Sequence, residues 1–175
     1  MLQGAGCDMS LHTIEPEYVD ANPLDLLEQV ADMHNWPFDR SHEQELNLSI
    51  SGEWRDYHIS LNWREDIGGL HMACLPDVRV PPEKVSAVLK LLPFINEHLW
   101  SGHFDLWSED GTIMFRDSLL LSGGATATPE QCDQLVNLAM EACERYYPAF
   151  QYVIWAGKTP EEAVAACMFD TQGSA

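Results

Sequence analysis

The clearest pattern in the chain is a strict alternation of apolar and polar side chains over residues 56–64. The apolar positions are Tyr57, Ile59, Leu61 and Trp63, and the polar positions are Asp56, His58, Ser60, Asn62 and Arg64. Side chains of a β-strand point alternately to opposite faces, so this period of two predicts a strand with one buried and one solvated face. Residues 46–51 and 70–75 predict two flanking strands. The short connections between them favour an antiparallel meander.

Two helices are predicted on either side of this meander. Asn22-Pro23 supplies an N-cap and a first-turn proline, and apolar residues at helical spacing continue to about Asn35. A second helix opens at 81–83, and its apolar residues run to Leu99. Pro93 lies inside it, which predicts a kink or a restart of the helix. Residues 36–40 are compatible with a short strand or with an irregular segment.

A second hairpin and two further helices follow. Residues 104–119 alternate around an Asp-Gly turn, which predicts two antiparallel strands. Thr128-Pro129-Glu130-Gln131 fits a capping box and starts a long amphipathic helix, which Pro148 is expected to bend. A second capping box at 159–162 predicts a short helix through Cys167.

The order of elements predicts the fold class. About five strands in the order α-β-β-β-α-β-β-α-α, grouped in short antiparallel runs, indicate an α+β fold rather than an alternating α/β fold. We expect residues 1–21 to be a flexible acidic arm, 22–169 a single domain, and 170–175 a short tail.

Charge limits the partners. Twenty-eight acidic residues against nine Lys and Arg give a formal net charge of -19. Such a surface disfavours nucleic acid and anionic membranes, because both are bound through Lys and Arg. The charge serves solubility alone, or it forms an acidic face for a basic partner protein.

The cysteines and the hydropathy bear on location. Five cysteines without paired spacing are most simply explained by a reduced, cytoplasmic protein. Cys132 and Cys143 lie eleven residues apart on one face of the long helix, which predicts buried packing groups. No signal peptide and no apolar run of membrane-spanning length is visible in the sequence.

Several short motifs in the second half of the chain resemble the YbjN family of small bacterial proteins. They are Asn96, Gly102-His103-Phe104, Asp110-Gly111, Phe115-Arg116, Tyr147-Pro148-Ala149-Phe150 and Trp155-Ala156-Gly157-Lys158, within a similarity that covers about 22–168. The resemblance implies the fold of type III secretion chaperones: a twisted antiparallel sheet with helices on one face, usually paired into a dimer. It implies no catalytic residue and no cofactor.

The residues themselves indicate no catalytic or metal site. His71 and Cys74 are three apart on a strand and point to opposite faces, so they cannot bind one ion together. His98, His103 and Asp105 could converge, but no zinc-binding spacing accompanies them. Ser122-Gly123-Gly124 lacks the lysine of a phosphate-binding loop. A hydrolase with two carboxylates stays open as an alternative, because its geometry cannot be read from sequence.

The leading hypothesis is therefore a non-enzymatic, chaperone-like protein-binding module that forms a homodimer and engages a polypeptide client. The alternative is a small-molecule or metal sensor with a pocket between sheet and helices. If Phe104, Leu106, Ile113 and Phe115 point inward, the outer sheet face carries the candidate contacts Trp107, Arg116, His58 and Arg64. No cofactor is predicted.

Overall fold

A computed structural model describes the backbone of residues 22–170 and the side chains of residues 22–168. The predicted arm, 1–21, and the last five residues lie outside this range. The four helices are α1 (Pro23–His34), α2 (Val85–Asn96), α3 (Pro129–Ile154) and α4 (Pro160–Asp170). The six strands are β1 (Phe38–His42), β2 (Glu45–Ser51), β3 (Asp56–Arg64), β4 (Gly69–Leu75), β5 (His103–Leu106) and β6 (Ile113–Leu120).

The strands form one antiparallel sheet in the order β1-β2-β3-β4-β6-β5. Their alternation places one apolar set on a single face: Leu46, Leu48, Tyr57, Ile59, Leu61, Leu70, Met72, Cys74, Phe104, Ile113 and Phe115. Helices α1, α2 and α3 pack against this face, and α4 packs on α2 and α3. Phe104 lies at the centre of an aromatic group, with its ring 5.3 Å from those of Phe115 and Phe150. The α+β class and the helices on one face are confirmed.

The helix starts are set by the predicted caps. Asn22 Oδ1 accepts from the Leu24 amide at 3.0 Å at the start of α1. At α3 the capping box is reciprocal, because the Gln131 amide donates to Thr128 Oγ1 and the Thr128 amide donates to Gln131 Oε1. Thr159 repeats this arrangement at α4. Each cap satisfies amides that the first helical turn leaves without a partner.

The prediction of about five strands is corrected to six, because residues 38–42 form the edge strand β1. Phe38 pairs with Leu48, and Asp39 pairs with Asn47. Four of the five residues of β1 are exposed, so the segment lacks the alternation of apolar and polar residues that predicts a strand from sequence. Long-range contacts help to hold it instead: Arg40 bonds to Glu28 at 3.0 Å across to α1.

The two helix prolines do not end their helices, so α2 does not restart at Pro93. Pro93 lies inside α2, and Pro148 lies inside α3, which runs for 26 residues. Both helices bury a face against the sheet, and this packing outweighs the hydrogen bond that each proline removes. Helix α2 ends at Asn96, before Leu99, and the Asn96 side chain bonds to β5.

Candidate functional site

The candidate site is the outer face of the sheet, on which no helix of residues 22–170 packs. We define the outer face by the side chains that alternate with the core set: Asp39, Glu45, Asn47, Ser49, Ser51, Asp56, His58, Ser60, Asn62, Arg64, His71, Ala73, Leu75, His103, Asp105, Met114, Arg116, Ser118 and Leu120. Most are polar. The inward orientation of Phe104, Leu106, Ile113 and Phe115 that this prediction required is the one observed.

Arg116 is the most connected charged group of the outer face. Its Nε donates to Nε2 of His71 at 3.3 Å, and its Nη1 donates to Oδ2 of Asp105 at 3.2 Å. His103 lies directly opposite on β5. These groups border an open cavity of about 270 Å³, lined by His71, Gly102, His103, Arg116, Asp117 and Ser118.

His71 is held in its neutral form by this arrangement. Partial burial lowers its pKa below the ordinary value, and the neighbouring Arg116 guanidinium and His103 lower it further. Because Nε2 accepts from Arg116, the ring proton must lie on Nδ1. A second proton would cost this hydrogen bond and place two cations side by side.

Of the four predicted contact residues, His58, Arg64 and Arg116 lie at separate places on the outer face, and Trp107 lies just beyond the end of β5. His58 is exposed on β3 between Ser49 and Leu75. Arg64 lies six residues further along β3, roughly 20 Å away at the rise of a strand. It forms two hydrogen bonds with Asp66, at 2.7 and 2.6 Å, which lower the pKa of that carboxyl group. Trp107 follows β5 at the hairpin and is 47% exposed.

Sequence reasoning missed the partners of Arg116. Residues 70–75 read as apolar on both faces, so His71 was considered only as a metal ligand. The burial of Leu70, Met72 and Cys74 puts His71 on the outer face, and the pairing of β4 with β6 brings it to Arg116. This alternation was visible in the sequence, but the β4–β6 pairing was not.

The thiols and histidines do not form a reactive centre in the described part of the chain. Cys74 and Cys143 are buried with their sulfur atoms 3.6 Å apart, and the hydrogen bond between them and their burial raise the pKa of Cys143. A raised pKa disfavours the nucleophilic thiolate. Residues 22–168 contain no group of three His, Cys, Asp or Glu side chains able to hold a metal ion.

Comparison with known proteins settles the family. The profile of the YbjN family, described as "Putative bacterial sensory transduction regulator", matches residues 23–152. The chain belongs to the YbjN family. This match spans the whole sheet and nearly all of α3, including the entire outer face. No curated protein matches the chain in sequence.

Two solved structures are similar to this chain. One is YbjN from E. coli, described as "a putative transcription regulator", at 18% identity and a TM-score of 0.50, covering 69% of this chain and 85% of that one. The other is a chain of the ExsC-ExsE complex, at 18% identity and a TM-score of 0.49, covering 69% of this chain and 90% of that one. At this identity, the likeness to YbjN shows the fold alone. None of the helices within residues 22–170 is long and apolar enough to cross a membrane.

Proposed function

We propose that this YbjN-family protein is a non-enzymatic, chaperone-like or regulatory binding module. It acts as a homodimer on another polypeptide through the outer face of its sheet. Membership of a family of sensory transduction regulators supports a regulatory role. The proposal extends to the cytoplasm, since the buried thiols Cys74, Cys132 and Cys143 suit a reducing compartment.

The observation that carries the proposal is the chemistry of the outer face. The serine, asparagine and alanine side chains at its centre are short, so another chain can approach the backbone of the sheet closely. The charged Arg116 lies towards one side of it, and the half-exposed Trp107 follows β5 at the neighbouring hairpin. Trp and Arg are the residue types most enriched where binding energy concentrates in protein interfaces.

The same chemistry argues against catalysis at this face. The Asp105 carboxylate is paired with Arg116, and the Asp66 carboxylate is paired with Arg64. A general acid or base needs a pKa near neutrality, whereas the Arg64 pair lowers the pKa of Asp66. The cavity beside Arg116 lies on the outer face. A smaller cavity of about 130 Å³ lies between Phe115 of β6 and helix α3, which is where a sensor pocket was predicted.

Crosslinking and affinity capture from a cell extract tests the proposal. The Trp107→Ala/Arg116→Ala double variant tests the predicted contacts. The matched control, Trp155→Ala/Arg145→Ala, removes the same two residue types on the helical side, with Arg145 in α3 and Trp155 at its C-terminal end. We expect the wild type and the control to capture the same polypeptide, and the outer-face variant to lose most of it. Equal capture by both variants would place the binding surface elsewhere.

A further inference from the structure

The two edges of the sheet differ in what their backbone offers. The Trp107 amide donates to the Thr112 carbonyl at 2.8 Å, which makes these two residues a hydrogen-bonded pair. Because hydrogen-bonded and non-hydrogen-bonded pairs alternate along an antiparallel ladder, the N–H and C=O of Phe104 point away from β6. Asn96 bonds to both groups, accepting from the amide at 2.8 Å and donating to the carbonyl at 3.1 Å. Asp105 Oδ1 accepts from the Leu106 amide. Side chains therefore close the β5 edge.

Within the part of the chain that the structure describes, the β1 edge is open at Phe38. The Ser49 amide donates to the Pro37 carbonyl at 2.9 Å, so Pro37 and Ser49 form a hydrogen-bonded pair. The next pair, Phe38 and Leu48, is then a non-hydrogen-bonded pair, in which the N–H and C=O of Phe38 point away from β2. No hydrogen bond from residues 22–168 reaches the Phe38 N–H or C=O. The Phe38 ring beside them is 38% exposed. A free donor and acceptor pair on an edge strand is a template for another strand.

Acidic side chains surround this edge. Asp25 and Glu28 of α1 both pair with Arg40, which neutralises only one of them. Asp39 is exposed within β1. Glu43 lies in the turn from β1 to β2, and Glu45 is the first residue of β2. Arg40 is the only Lys or Arg of β1 and of this turn. The open backbone groups are thus set in a negative field, which attracts a positively charged chain.

We infer that β1 is the docking strand for an extended, basic segment of a partner protein, which pairs with the Phe38 backbone. The inference rests on the proposed function only in taking the partner to be a polypeptide. A second copy is a poor occupant, because β1-to-β1 pairing would bring two acidic clusters together. Residues 1–21 are equally unsuited, with four acidic residues and no Lys or Arg.

Two synthetic peptides of alternating sequence test the inference, one of Val and Lys and one of Val and Glu. Calorimetry at low salt measures their affinity for the full chain, and amide hydrogen exchange measures protection of Phe38. We expect the Lys peptide to bind, to slow exchange at Phe38 and to weaken as salt is raised. The Glu peptide should not bind.

Two variants locate the site. Phe38→Pro removes the outward N–H, which an edge strand tolerates for folding, and should abolish binding of the Lys peptide while cooperative unfolding is retained. Glu43→Gln should weaken it roughly twofold to fivefold, the range expected for one exposed charge. Glu83→Gln, the same exposed charge change in the segment before α2, should leave it unchanged.

The outcomes separate this inference from the proposed function. Full binding by Phe38→Pro, equal effects of Glu43→Gln and Glu83→Gln, or no binding of the Lys peptide to the wild type would each overturn the β1 docking strand. A homodimer that Phe38→Pro dissociates would also overturn it, since a second copy would then occupy the edge. In every such case, loss of client capture in the Trp107→Ala/Arg116→Ala variant would still support the proposed function.

Discussion

Leu61 and Trp107 represent the two faces of the sheet at the scale of single residues. Leu61 is fully buried in the middle of β3, whereas Trp107 is 47% exposed beside the hairpin. We expect Leu61→Ala to lower the free energy of unfolding by about 2–5 kcal/mol, because the side chain it removes leaves a cavity. Trp107→Ala should cost about 1 kcal/mol or less, as surface changes do. Urea denaturation measures both. A Trp107→Ala chain less stable than Leu61→Ala would assign Trp107 to the core.

His71 makes the stability of the protein depend on pH. Its pKa is lowered in the folded protein, so as pH falls below the ordinary histidine value the unfolded chain binds the proton first. The stabilisation that His71 contributes to folding is therefore fully present above the ordinary histidine pKa. It is lost as pH falls towards the pKa of His71 in the folded protein. Between about pH 7 and about pH 5.5, the wild type should lose more stability than His71→Gln, which does not titrate.

His58→Gln is the matched control for this effect. It removes an exposed histidine from the same face, at a position without contact to Arg116. We expect His71→Gln to flatten the dependence of unfolding free energy on pH more than His58→Gln does. Identical pH profiles for the wild type and His71→Gln would show that the Arg116–His71 hydrogen bond does not control the protonation of the ring.

Side-chain orientation could be predicted residue by residue, but pairing between strands could not. The alternation in β3 placed His58 and Arg64 outward, and the β5–β6 hairpin placed Arg116 outward, as observed. The cluster of Arg116 with His71 depends on β4 pairing with β6, and 37 residues lie between the end of β4 and the start of β6. Such pairing arises from packing against α2 and α3, which no local pattern encodes.

At the scale of elements, Asn96 replaces a neighbouring strand at the β5 edge. Its amide bonds to the N–H and C=O of Phe104, a residue that is only 2% exposed. We expect Asn96→Ala to destabilise the fold by about 1–3 kcal/mol, because buried backbone groups lose their partners. It should also promote concentration-dependent association by opening the edge. Urea denaturation and light scattering measure the two effects.

Asn137→Ala is the control, since Asn137 is exposed on α3. It should change neither the stability nor the association of the protein by a comparable amount. If Asn96→Ala were as stable and as monodisperse as Asn137→Ala, the closed β5 edge would be wrong, and the contrast between the two edges would lose its basis.

Helix starts were predicted from sequence because their caps are local, whereas β1 was left open between a strand and an irregular segment because its pairing is not local. The caps at Asn22, Thr128 and Thr159 each use residues no more than three positions away. Strand β1 is exposed, and its pairing with β2 and the Arg40 contacts to α1 hold it in place. Pro93 does not restart α2 for a related reason: the packing of α2 outweighs the local cost.

At the scale of the whole molecule, the charge of -19 is compatible with self-association only where the acidic groups are kept apart. The outer face offers such a place, because its central residues are uncharged and Arg116 and His71 lie beside them. We expect light scattering after size exclusion to report about twice the mass of one chain. A protein that stays monomeric at high micromolar concentration would contradict the proposed homodimer.

Photo-crosslinking from single positions tests the central claim, that the outer face binds polypeptide, most directly. A photoreactive amino acid at His58 lies on the outer face, and one at Leu89, which is 52% exposed on α2, lies on the helical side as the control. Irradiation in a cell extract is followed by mass spectrometry of the products. We predict adducts to a second copy or to a client polypeptide from position 58 and none from position 89. Adducts from position 89 alone would contradict the account.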